Sequence, residues 1–140
     1  MNEYIHKVQY YETDKMGITH HSNYIRWMEE ARIDFLDQIV CSFAQMEADG
    51  LLSPVIGVHC NYKVATTFGD AVSVSVRLEE YTGVRYVVAY EMHNTETGQL
   101  VALGKTEHCF TNAEGRPIPA HRHFPKYHEL YVNLMKLKSS

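Results

Sequence analysis

The pattern of apolar and polar positions changes period twice along this chain of 140 residues. Ile5 to Tyr11 is rich in β-branched and aromatic residues, which predicts a first strand. Glu12 to Ser22 holds Gly17 and several cap-forming residues, and reads as a loop. From Asn23 the apolar positions Tyr24, Trp27, Met28, Ala31, Phe35, Ile39 and Val40 recur at spacings of three and four. Arg26, Glu29, Glu30, Asp34 and Asp37 fall largely between them. This predicts an amphipathic helix of about five turns, brought to an end within Ala44 to Pro54 by Gly50 and Pro54.

Beyond Pro54 the period drops to two. Ile56, Val58, Cys60, Tyr62 and Val64 alternate with Gly57, His59, Asn61 and Lys63. Val72, Val74, Val76 and Leu78 alternate with Ser73, Ser75, Arg77 and Glu79 after the turn FGD. Tyr86, Val88, Tyr90 and Met92 form a third set after YTGVR, and the turn signal TETGQ leads into Leu100 to Thr111. NAEGRPIP closes that last strand. The tail HRHFPKYHELYVNLMKLK fits a short helix whose start is blurred by two histidines and Pro125. Turns this short join antiparallel neighbours, since parallel pairing needs a long crossover. The expected fold is therefore α+β, a curved antiparallel sheet of about five strands wrapped around one long helix.

Composition narrows the picture. The length suits a single domain with its own core, without repeat, low-complexity tract or linker. A net charge of −4 gives no electrostatic argument for nucleic acid or an anionic membrane. Cys41, Cys60 and Cys109 are widely spaced and form no CxxC pair, a usage that suits a reducing compartment. The N-terminus is polar and strand-like, and no apolar run approaches the roughly 20 residues of a spanning helix. The expected location is the cytoplasm. Nine histidines are spread without an HExxH or zinc-like spacing, so no metal is expected.

Candidate chemistry concentrates between the first strand and the helix, in YYETDKMGITHHSNYIRWMEEAR. Asp14 is of a type that is ionised at neutral pH; it can activate water, attack a carbonyl carbon, or simply cap the loop. Gly17 permits a tight turn or a close backbone approach to a ligand. A helix start presents N–H groups without internal partners and a partial positive charge, a ready site for an oxyanion. His21 can orient water, relay a proton or stand as a polar helix-start residue; His20 points elsewhere.

Tyr11, Asp14, Gly17, His21, Asn23 and Tyr24 in this stretch resemble the active-site signature of hotdog-fold acyl-CoA thioesterases of the 4-hydroxybenzoyl-CoA thioesterase family. VHCNYKVATTFGDAVSV and TGVRYVVAYEMHNTETGQLVALGKTEHCF are similar to the family's sheet. The resemblance covers about residues 4–118 of a single domain over 1–140, with 119–140 as a C-terminal extension. It implies hydrolysis of an acyl-CoA thioester to free acid and CoA, with Asp14 and His21 at the catalytic centre and the His21 N–H binding the oxyanion. It also implies a homodimer with continuous sheets and sites at the interface, often paired into a tetramer. CoA would be part of the substrate, and no cofactor is implied.

Its phosphates attract cations: Lys63 and Arg85 near strand ends are candidates, with Arg116 after the last strand, each equally readable as a solvated surface charge. The acyl group would lie against Tyr24, Met28 and Val58. An acyl-carrier-protein thioesterase and a non-catalytic acyl-CoA-binding protein are the alternatives. The latter is expected to carry an effector segment, for which the chain has no spare length. A hotdog dehydratase would place its histidine and acid elsewhere than in a DxxGxxxH arrangement.

Overall fold

The computed structural model describes residues 2–39 and 42–137. The chain runs β1 (Tyr4–Lys7), a 3-10 turn (Tyr10–Glu12), α1 (Ser22–Gln38), α2 (Phe43–Ala48), β2 (Val55–Tyr62), β3 (Ala71–Tyr81), β4 (Arg85–Asn94), β5 (Leu100–Cys109), α3 (Ala120–His123) and α4 (Pro125–Leu137). Val40, the last member of the predicted helix stripe, and Cys41 lie outside the described residues.

The five strands form one antiparallel sheet in the order β1-β3-β4-β5-β2. Its inner face carries Val72 and Val74 of β3, Tyr86, Val88, Tyr90 and Met92 of β4, and Val101 and Ala102 of β5, all buried. Tyr24, Trp27, Met28, Ala31 and Leu36 of α1 close over this face. Gly104 of β5 matters here. A Cβ at that position would run into Met28 Sδ, so the missing side chain lets the helix settle onto the sheet.

Three expectations need correction. The first strand ends at Lys7, because Glu12 takes the Gln9 N–H with its carboxylate and returns its own N–H to the Gln9 carbonyl, which turns the chain. The helix α1 is not alone, since α4 adds 13 residues across β3 and buries Tyr127, Tyr131 and Leu134 in the same core. The tail is thus part of the core rather than an extension of it. Third, the β2 alternation gives the facing of its residues but not their burial. Val58 pairs with buried Thr106, and Tyr62 with buried Ala102, so both face inward. Both are nonetheless exposed, at 44% and 47%, because β2 is an edge strand that the helices leave uncovered. Among the described residues no helix is long and apolar enough to cross a membrane.

Candidate active site

Residues 12–20 form a small loop closed at its neck by the His20 N–H, which donates to the Glu12 carbonyl at 2.8 Å. Thr13 and Thr19 face each other across it, and the Asp14 N–H donates to the Ile18 carbonyl at 2.8 Å. The tip is a turn in which the Asp14 Oδ1 accepts the Met16 N–H at 2.8 Å and the Gly17 N–H returns to the Asp14 carbonyl. Gly17 sits at φ +80°, a conformation that L side chains rarely adopt, so the glycine serves the turn. The far side of the loop is fastened to residues 66–67. Thr19 N–H donates to the Thr66 carbonyl at 2.9 Å, the Thr19 and Thr66 hydroxyls meet at 2.6 Å, and the Thr67 hydroxyl donates to the Gly17 carbonyl at 2.7 Å.

The helix begins immediately after this loop. Ser22 opens α1, and its N–H and hydroxyl both meet His20 Nδ1, at 3.2 and 2.8 Å. The His20 imidazole therefore acts as the cap that the backbone at His21 lacks. Among the described residues the His21 N–H has no partner, while the His21 carbonyl accepts the Tyr24 N–H and the Tyr62 hydroxyl. An unpartnered N–H at a helix start is an anion-binding group. The two imidazoles stack at 4.3 Å between ring centres, and the His21 ring lies edge-on to Tyr62.

Asp14, His21, Tyr24 and Lys63 line one open cleft of about 480 Å³ together with Met16, Ile18, Thr19, Tyr62, Val64 and Ala65. Tyr24 is buried, its hydroxyl 3.0 Å from that of Thr66, and burial pushes its pKa up. The cleft thus has a polar end at Asp14 and His21, an aromatic and aliphatic wall, and a lysine at its side.

Other candidates lie elsewhere. Arg85 lines a separate hollow with Glu80, Thr82 and Glu107. It pairs with Cys109 on β5, whereas Tyr62 of the cleft pairs with Ala102; seven positions along a strand separate them by roughly 23 Å. Arg116 sits in the turn after β5, its N–H held by Asn112 Oδ1. Within one chain neither cation reaches the Asp14 cleft. Met28 is fully buried in the core, and Val58 is outside the cleft lining. The pattern of residue types did not flag Glu12, Thr66 or Tyr62 as parts of the site. Only their partners in space identify them.

The chain belongs to the thioesterase-like superfamily, matched over residues 8–128. It is 33% identical over 131 residues to the putative acyl-CoA thioesterase YneP of Bacillus subtilis, covering 93% of this chain and 94% of that protein. The crystal structure of a DHNA-CoA thioesterase from Staphylococcus aureus superposes with a TM-score of 0.92 at 36% identity, over 99% of this chain and 93% of the other. The long-chain acyl-CoA thioesterase FadM of Escherichia coli is 26% identical over 96 residues, 69% of this chain and 72% of that one.

Proposed function

We propose that this protein hydrolyses an acyl-CoA thioester, releasing the free acid and CoA. The observation that carries the reading is the sharing of one cleft by Asp14, a helix start with an open His21 N–H, and Lys63. The thioester carbonyl oxygen accepts the His21 N–H, which with the helix dipole stabilises the negative charge of the tetrahedral stage. Asp14 Oδ2 either takes a proton from water attacking the carbonyl carbon or attacks that carbon itself, giving an anhydride that water then opens. In both routes a C–O bond forms, the C–S bond breaks, and the thiolate leaves as CoA. Lys63 holds the carrier's phosphates as a point charge at the cleft side. The acyl group lies against Tyr24, Tyr62 and Val64. The kinship with aromatic and long-chain acyl-CoA thioesterases supports the carrier and leaves the acyl group to assay.

The assay is thiol release from a panel of acyl-CoAs of graded length, with aromatic acyl-CoAs included. Hydrolysis of at least one member is expected, and loss of turnover by roughly a hundredfold or more in Asp14→Asn, with the thermal midpoint unchanged. An inert wild type, or an Asp14→Asn variant of near-normal turnover, would sink this mechanism.

The reading includes a homodimer. β2 is an edge strand of eight residues with Val55, Ile56, Val58 and Tyr62 exposed, and a long apolar edge of this kind is normally paired or covered. Light scattering at micromolar concentration should give at least twice the 16.2 kDa chain mass; a monodisperse monomer would refute the dimer.

A further inference from the structure

The loop that carries Asp14 is fastened at its far side to residues 66–67 and at its neck through one residue, Glu12. Glu12 is buried, 4% exposed, and stands two positions before Asp14. Its Oε1 accepts the Gln9 N–H and meets His6 Nε2, each at 2.8 Å, and its Oε2 accepts the Trp27 Nε1–H at 2.9 Å. Its backbone carbonyl accepts the His20 N–H at 2.8 Å and the Asn23 Nδ2–H at 2.9 Å. One residue thereby touches β1 through His6, the second turn of α1 through Trp27, the first turn through Asn23, and the neck of the loop through His20.

We infer that Glu12 is a positioning residue for the hydrolysis, fixing the distance between the Asp14 carboxylate and the His21 N–H. The inference rests on the reading of Asp14 and His21 given above. Its logic is geometric. Asp14 and His21 stand on opposite arms of the loop, Asp14 two residues after Glu12 and His21 one residue after the His20 N–H that Glu12 holds. If that anchor is loosened, the two reacting groups lose their common reference. A carboxylate at this buried position would be costly without partners, and the structure supplies donors from three directions. Burial works against its charge, but the hydrogen bonds from Gln9, His6 and Trp27 outweigh it and hold the carboxyl below the usual range. The other titratable groups facing it are few. His6 on β1 also lies 3.5 Å from Glu30 of α1, and Glu30 is held by the Tyr4 hydroxyl.

Glu12→Gln keeps the shape but replaces one acceptor oxygen by an NH2 group that must face a donor, either Trp27 or the Gln9 and His6 pair. The expected result is a fall in kcat of roughly ten- to a hundredfold, from sub-ångström misplacement, with KM held within about twofold. Trp27 is the chain's single tryptophan, so its emission reports the Glu12 contact directly. It should shift in Glu12→Gln and stay unchanged in Asn23→Ala. Adding Trp27→Phe to Glu12→Gln removes the conflicting donor and should restore part of the lost kcat, which a general loss of stability would not allow. A folded Glu12→Gln with wild-type kcat overturns the inference while leaving the hydrolase reading intact. A wild type inert on the whole panel sinks both. If Glu12→Gln does not fold by circular dichroism, Asn23→Ala decides, since it cuts the tie to the same carbonyl. A lowered kcat at unchanged KM upholds the inference and an unchanged kcat refutes it.

Discussion

The two ends of α1 solve the problem of a buried titratable group in opposite ways. At the first turns, Glu12 is surrounded by donors and is held charged. Ten positions after Ser22, or about 15 Å along the helix, Arg32 reaches the Tyr86 hydroxyl, and the Tyr86 ring stacks on His108 at 4.6 Å. His108 is fully buried, and burial, with the nearby Arg32 charge, pushes its pKa down to about 4. A chain of hydrogen bonds fits the neutral ring. Its Nδ1–H donates to the Ser53 carbonyl and its Nε2 accepts from the Thr106 hydroxyl, which accepts from Tyr90. What separates the two is the balance at each titratable atom: at Glu12 the hydrogen bonds outweigh burial, and at His108 burial leads. One end is polar so that a loop stays put. The other is aromatic and carries the core, with Phe110 and Tyr131 packed edge-on and Tyr81 beside them.

This contrast can be broken from the core end. Phe110→Ala removes a fully buried ring in contact with Tyr81, Tyr86 and Tyr131, at a cost of about 3–5 kcal/mol. Urea unfolding should record that loss, while kcat per folded molecule stays near wild type. A kcat that falls in step with stability would show that the two ends are not separable.

Acid sharpens the contrast more gently. Both groups have folded-state pKa values below their unfolded ones, so both contribute stability at high pH that is lost as pH falls. For His108 the window runs from 6.5 down to about 4, worth on the order of 3 kcal/mol at its foot. For Glu12 it opens only below about 4.5. Unfolding midpoints should therefore slope downward first through the His108 window, and His108→Gln should flatten that slope. Trp27 emission, tied to Glu12, should change within the lower window. A flat profile between pH 6.5 and 5 in the wild type would contradict the account of His108.

Much of the fold was legible because its strongest elements carry a clean period. In β3 and β4 the inward residues Val72, Val74, Leu78, Tyr86, Val88, Tyr90 and Met92 are buried and Val76 is half-buried, close to what alternation demands. The placing of Asp14 ahead of a helix start was equally readable. Burial of charge was not, because a pattern of residue types counts Glu12 and Arg32 as surface. Gln9, His6 and Trp27 for the one, and Tyr86 and Phe43 for the other, make those positions tenable. Arg85 shows a further limit. Its place at a strand end was visible, but which end of the sheet that is depends on the pairing of β4 with β5. The tail was hard to read because Pro125 stands where α4 begins, a position in which proline starts a helix rather than breaking one.

The glycine under Met28 has a mechanical consequence. Met28 lies six residues beyond Ser22, about 9 Å along a rigid rod. A methyl group at position 104 would meet the Met28 thioether, the outer part of a flexible side chain, which would have to turn aside within the core. Position 104 is thus a seat cut for one thioether, and the close fit of helix on sheet at this point rests on a single absent carbon.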